Sequence, residues 1–226
     1  MIFQNANDRD LLKSLGAVRD EQVVMIRGAG VDLDAYRASP EPPAPPVVVT
    51  MVARLLRDKG VREFVEAAAM LRARGVPVTM QLVGGLDAGN PASATQQEVD
   101  AWQRDGAVQA LGERSDIAEL YAASHIAVLP SYREGLPKSL IEAAACGRAV
   151  VTTDVPGCRD AIEPSQTGLL VTVRDAQSLA DAIARLAEDA ALRQRMGAAG
   201  RALAESEFDI KRVARVHVEL YDALVG

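Results

Sequence analysis

Short apolar runs separated by stretches of helical periodicity constrain this chain more than any other feature of its sequence. Residues 47–53, 78–83, 108–111, 125–129, 149–153 and 169–173 are runs rich in Val, Ile, Leu and Ala. Between the first two, Val61, Phe64, Val65, Ala68 and Leu71 recur at helical spacing, and 117–123 and 138–146 are further helical stretches. Strands this apolar are expected to be covered on both faces. Their alternation with helices predicts an α/β fold, a doubly wound parallel sheet of about six strands. Ligands of such sheets bind beyond the carboxyl ends of the strands. Arg54, Gly84, Gly85, Arg114 and Glu134 all fall just past a predicted strand end, as one shared site requires.

The flanks differ from this body. Residues 40–46 read PEPPAPP, which neither a helix nor a central strand accommodates, and they are expected to form a linker feeding the first strand. At the other end, 176–187 and 190–204 are Ala- and Leu-rich helical segments. A tail over 208–225 carries Val213, Val216, Leu220 and Leu224 on one face. No solenoid repeat is visible.

Composition excludes several function classes. Of 226 residues 49% are hydrophobic, yet no apolar run reaches the roughly 18 to 20 residues that span a bilayer. Met1, Ile2 and Phe3 give way to polar residues and to Asp8, Arg9 and Asp10, unlike a signal peptide, so a cytoplasmic location is expected. A net charge of −6 and 4% aromatic content argue against a nucleic-acid surface. Cys146 and Cys158 show no metal or redox spacing and are expected to be reduced, with Cys146 a packing residue.

The segment SYREGLPKSLIE, 131–142, is where chemistry concentrates. Glu134 ends a loop after an apolar run, and Pro137 suits the first position of a helix because its missing N–H costs nothing there. The amides of Gly135 and Leu136 then face outward at a helix N-terminus, which attracts phosphate. Glu142 lies further along the same helix, where a carboxylate can accept from two adjacent hydroxyls, as in a ribose. Its neighbours Leu140, Ile141, Ala143, Ala144 and Ala145 leave little polar surface, so it needs a specific partner.

Two Glu residues separated by seven others in this context resemble the donor site of the retaining family-4 (group 1) glycosyltransferases of the GT-B fold. Further segments are similar to that family in the same order: ARLLRDKG at 53–60, LVGG at 82–85, GERSDI at 112–117, DVPGCRD at 154–160 and TGLLV at 167–171. The resemblance implies a Rossmann-like donor-binding domain over 47–207, the C-terminal half of a GT-B fold. Residues 1–27 would be a strand–helix–strand remnant of the N-terminal domain, 28–46 the interdomain linker and 208–226 a crossover helix. It implies that Glu134 with the Gly135 and Leu136 amides and Pro137 holds the sugar, Glu142 the ribose, and Arg54 and Lys59 the diphosphate. Gly84 and Gly85 would complete the donor site, and Arg114 with its loop would hold the base. Glu134, Lys59 and Arg54 are the residues nearest the chemistry in this reading, with no metal and no cofactor. Within the family the motifs look most like bacterial enzymes of surface-polysaccharide synthesis. That implies a UDP-N-acetylhexosamine donor, with GDP-mannose second, and a glycan or lipid-linked acceptor bound through the N-terminal domain. Association with the inner face of the membrane is compatible with such an acceptor.

Each of these residues also has a plainer reading. Arg54 and Lys59 can be solvated loop charges, Arg57 more so, and Glu134 can be an acid favourable to a helix dipole. A nucleotide-sugar-binding module without transferase activity, or a bare scaffold, are the alternatives to an enzyme. Asp32-Leu33-Asp34 matches the Asp-x-Asp pattern of metal-dependent transferases but is expected to be incidental, and His125 and His217 are expected to be structural.

Overall fold

The computed structural model describes residues 1–225, so Gly226, included in the expected tail, lies outside the described residues. The chain opens with β1 (Ile2–Phe3), α1 (Ala6–Ser14) and β2 (Val24–Met25), the strand–helix–strand order expected of it. β1 and β2 pair in parallel as a separate two-stranded sheet. Residues 37–46 form neither helix nor strand, as the closely spaced prolines dictate.

The body follows as β3 (Val47–Val52), α2 (Val61–Ala73), β4 (Val78–Val83), α3 (Gln96–Arg104), β5 (Gln109–Gly112), α4 (Ile117–Ala122), β6 (Ile126–Leu129) and α5 (Lys138–Ala145). It continues through β7 (Ala149–Thr153), β8 (Gly168–Val171), α6 (Ala176–Glu188), α7 (Ala190–Leu203) and α8 (Ile210–Val225). β3 to β8 form one parallel six-stranded sheet in the order β5-β4-β3-β6-β7-β8. The chain builds outward from β3 through β4 to β5, then returns across β3 to β6 and builds the other way. That reversal opens a crevice between the carboxyl ends of β3 and β6.

Every residue of β6 and β7 is buried, so the central strands are covered on both faces. α2 packs on α6, and α5 on α7. Phe64, Leu71, Ile141, Leu179, Ile183 and Leu186 close the core without measurable exposure. Truncating one such side chain to Ala removes about 2–5 kcal/mol, because the site relaxes only partly.

Two elements depart from the sequence reading. β5 is an edge strand paired only to β4, and Gln109 on it is exposed, so the expectation that every strand is covered on both faces fails there. Helix α3 is absent from the elements that apolar patterning predicts, since it buries only Val99 and most of its residues are polar. Its signal is a capping box: Thr95 Oγ1 accepts from the Glu98 amide at 3.2 Å, while Glu98 accepts from the Thr95 amide at 2.8 Å.

Candidate functional site

The loops after β3, β4, β5 and β6 carry Arg54, Gly84 and Gly85, Arg114, and Glu134, so all five lie on the carboxyl edge of the sheet. Across the β3/β6 crevice the Lys59 Nζ meets Glu134 Oε1 at 2.5 Å, with the two side chains 20% and 14% exposed. The backbone brings them together. Residues 57–59 form a 3₁₀ turn, and the Asp58 carbonyl accepts both from the Tyr132 amide at 2.8 Å and from Ser131 Oγ at 3.0 Å. Gly60 closes that turn in the left-handed region at φ 75°, and a Cβ there would lie 2.1 Å from the Pro130 carbonyl oxygen. Only glycine lets the two loops approach so closely. Glu134 is held in turn through its amide, which donates to Pro156 O at 3.2 Å.

Pro137 is not the first helical residue. It is the cap of α5, with extended backbone at φ −73° and ψ 119°, and Lys138 begins the helix. Its carbonyl accepts from the Leu140 amide at 3.2 Å, so the cap residue is extended while already closing the first turn. The Gly135 and Leu136 amides have no protein acceptor among the described residues, leaving two donors beside a helix N-terminus. Glu142 is 6% exposed and pairs with Lys138 at 3.2 Å along the helix. The field of its carboxylate reaches the Tyr36 and Tyr121 phenols. Burial first, and Glu142 after it, hold both phenols well above the ordinary tyrosine range. Lys138 is thus the partner that Glu142 finds among its apolar neighbours.

The remaining predicted residues are less converged. Arg54 pairs with Asp87 at 2.9 Å and is largely exposed, and Arg114 pairs with Asp116 two residues on. Gly84 and Gly85 help line a cavity of about 320 Å³ with Leu55, Leu86 and Gly112. Gly84 also has a packing reason, since a Cβ there would lie 1.8 Å from the Ala53 carbonyl oxygen. Asp32 spends its carboxylate on the Asp34 and Ala35 amides, and Asp34 pairs with Lys211, so the Asp-x-Asp segment is a turn with a surface ion pair. His125 is buried, accepting from the Val48 amide at Nδ1 and facing Pro42 O at 3.0 Å through Nε2. Burial pushes Cys146 up to about 11 and raises Cys158 as well.

Sequence reasoning assigns nothing to Tyr132. Its phenol donates to Glu63 at 2.6 Å, and the Arg174 guanidinium lies 4.6 Å from its ring centre. Burial and the Glu63 carboxylate push the phenol up to about 12, so it remains a donor that braces the loop carrying Glu134. No spacing in the sequence links positions 63, 132 and 174.

A family model described as glycosyl transferases group 1 matches residues 32–203. The chain belongs to this family. It is 34% identical, over 99% of its length, to the N,N'-diacetylbacillosaminyl-diphospho-undecaprenol alpha-1,3-N-acetylgalactosaminyltransferase of Campylobacter jejuni, of which it spans 60%. A Staphylococcus aureus capsular polysaccharide biosynthesis glycosyltransferase, CapM, is 29% identical over 71% of the chain and 42% of the relative. Among solved structures, sucrose-phosphate synthase of Thermosynechococcus elongatus superposes with a TM-score of 0.86 at 27% identity, covering 99% of this chain and 58% of that one. Anabaena Alr3699/HepE, solved in complex with UDP, superposes at 0.85 with 24% identity, covering 98% and 63%, and attests the shared fold. The resemblance to bacterial surface-polysaccharide enzymes of the GT-B fold is therefore borne out. Among the described residues no helix is long and apolar enough to cross a membrane.

Proposed function

We propose that this group 1 glycosyltransferase chain is the donor-binding lobe of a retaining enzyme that takes a sugar from a nucleoside diphosphate and passes it to a glycan or lipid-linked acceptor. The Lys59–Glu134 pair in the β3/β6 crevice supports this most directly. It sets a cation and a carboxylate side by side at the reversal point of the sheet, next to two unpaired amides, and a sugar diphosphate needs both kinds of partner. On donor binding Lys59 turns from Glu134 to the diphosphate, where it offsets the charge that the leaving group gains. Glu134 is then released to accept from sugar hydroxyls, with the Gly135 and Leu136 amides beside it. Glu142 takes the ribose once the exposed Lys138 ammonium gives way. Arg54 joins Lys59 by leaving Asp87, Gly84 and Gly85 line the donor site, and the loop of Arg114 flanks the base.

Retention follows if the acceptor oxygen attacks on the face the diphosphate leaves. The bond from the anomeric carbon to the β-phosphate oxygen breaks, the bond to the acceptor oxygen forms, and the acceptor proton passes to the departing phosphate. No metal takes part in this scheme. UDP-N-acetylhexosamine is the first donor to test, favoured by the Campylobacter relative's N-acetylgalactosaminyl transfer, and GDP-mannose is second. The acceptor is held through an N-terminal domain, and the enzyme works in the cytoplasm at the inner face of the membrane.

Calorimetry and thermal melting against UDP-, GDP- and ADP-sugars test the donor reading, because binding to the folded state raises apparent stability by mass action. The expected result is heat and a raised Tm for UDP-N-acetylglucosamine or UDP-N-acetylgalactosamine. No response to any nucleotide sugar would overturn the assignment of the site.

A further inference from the structure

Asn5 lies outside every motif of the sequence, yet it is only 2% exposed and its carboxamide is fully engaged. Oδ1 accepts from the Asp8 amide at 2.8 Å, capping α1. Nδ2 donates to Asp8 Oδ2 at 2.9 Å and, 130 residues along the chain, to the Gly135 carbonyl at 2.9 Å. That carbonyl belongs to the same peptide unit as the Leu136 N–H. In a planar trans peptide the C=O and N–H point in opposite directions, so anchoring the oxygen on Asn5 aims the Leu136 N–H away from the N-terminal segment. A bond to the carbonyl also polarises the unit and strengthens its N–H as a donor.

The unit is wedged in that orientation. On one side Gly157 packs so closely that a Cβ would lie 2.2 Å from the Glu134 carbonyl oxygen and 2.8 Å from that of Gly135. On the other, a Cβ on Gly135 would lie 2.6 Å from Gln4 Oε1. Arg133 pairs with Asp8, tying the loop to α1 a second time. Every one of these contacts on the N-terminal side comes from residues 4–8.

We propose that Asn5 is a positioning residue for the donor, holding the Gly135–Leu136 peptide so that the Leu136 N–H is presented to the sugar-diphosphate portion of a bound nucleoside-diphosphate sugar. This rests on the donor reading above. Affinity for that portion of the ligand, and not for the nucleoside, then depends on a residue far away in sequence from the helix that binds it.

The test uses chain 1–226 and whichever of UDP-N-acetylglucosamine, UDP-N-acetylgalactosamine or GDP-mannose the wild type binds, with the matching nucleoside monophosphate as control. Asn5→Ser keeps an oxygen to cap α1 but is too short to reach Gly135. It is expected to weaken the sugar nucleotide about tenfold while leaving the monophosphate unchanged. Equal losses for both ligands, or no loss for either, would overturn the proposal. Lys59→Ala is measured in parallel: weakening by Lys59→Ala with none by Asn5→Ser removes the Asn5 role alone, whereas a wild type that binds no sugar nucleotide removes the donor reading and this proposal together. Should Asn5→Ser fail to fold, the wild-type Leu136 amide decides by NMR. Its resonance is expected to shift on adding the sugar nucleotide and not the monophosphate, and a Leu136 signal unmoved while other site amides shift overturns the assignment.

Discussion

At the scale of single residues the site is a matter of which charges are held ready and which are committed elsewhere. Lys59 and Glu134 neutralise each other at 2.5 Å in a half-buried crevice, so a ligand with a phosphate and hydroxyls can replace both halves of the pair at once. Lys59→Ala is expected to weaken the nucleoside diphosphate by about 1.5–3 kcal/mol and the nucleoside hardly at all. Calorimetry giving equal losses would remove the phosphate role. The two glutamates separate in the same assay: Glu142→Ala should reduce affinity for the free nucleotide, and Glu134→Ala should matter mainly when the sugar is attached. A Glu134→Ala variant that loses UDP and UDP-sugar equally, with Glu142→Ala silent, contradicts both roles. His125 gives a prediction in pH. Burial depresses its pKa below the ordinary 6.5 against the opposing pull of the Pro42 carbonyl, and the nearby Arg193 and Arg148 act with burial while Glu41 acts against it. The unfolded chain therefore takes up the proton more readily, so the stability His125 contributes is present above about pH 6.5 and is lost as pH falls through the folded pKa. Melting temperature should fall from pH 7.5 to 5.5 in the wild type and more shallowly in His125→Gln, and parallel slopes would show that His125 does not titrate in this window.

At the scale of elements the turn at 57–60 decides whether Lys59 reaches Glu134. Gly60→Ala places a methyl in a left-handed conformation, costing about 1–2 kcal/mol, and drives it into the Pro130 carbonyl. Gly75 is the control, since it has a similar φ of 71° and open space where a Cβ would lie, with no atom within 4 Å. Gly75→Ala should lower the melting temperature and leave donor affinity intact, while Gly60→Ala should lower both. Equal affinities in the two variants would mean that the close packing of the turn on Pro130 does not set the geometry of the site.

At the scale of the whole molecule the large exposed apolar side chains, Leu86 aside, cluster at the two ends of the chain: Met1, Ile2, Leu11, Leu15 and Met25, and Ile210, Val218, Tyr221 and Leu224. Relatives that match nearly the whole chain are longer than it, the chain spanning 60% of the Campylobacter protein. Residues 1–226 alone are expected to bind donor weakly and to transfer no sugar, because excluding water and aligning the acceptor hydroxyl need a second wall to the cleft. Fusion to an N-terminal domain of a relative that covers both terminal segments should raise thermal stability and restore transfer, read by product formation on a lipid-linked acceptor. Transfer by residues 1–226 alone, in a preparation free of other transferases, would contradict this.

Much of this was legible in sequence because it depends on local pattern. The six sheet strands and helices α2 and α5 follow from apolar runs and helical spacing, since burial in a parallel sheet, only partial at the edge strand β5, selects Val, Ile, Leu and Ala whatever the partners are. Helix α3 escaped because only Val99 is buried, though its capping box was there to be read. The carboxyl-edge placement of Arg54, Gly84, Gly85, Arg114 and Glu134 followed from the same alternation. Tertiary structure alone decided which of these side chains meet. Lys59 reaches Glu134 through the Asp58 carbonyl and a glycine under Pro130, Tyr132 is braced by Glu63 and Arg174, and Asn5 crosses to Gly135. The pairings of Lys59 with Glu134, Tyr132 with Glu63 and Asn5 with Gly135 join residues 69 to 130 positions apart, and such distant contacts depend on how strands order and loops pack, which no local periodicity encodes.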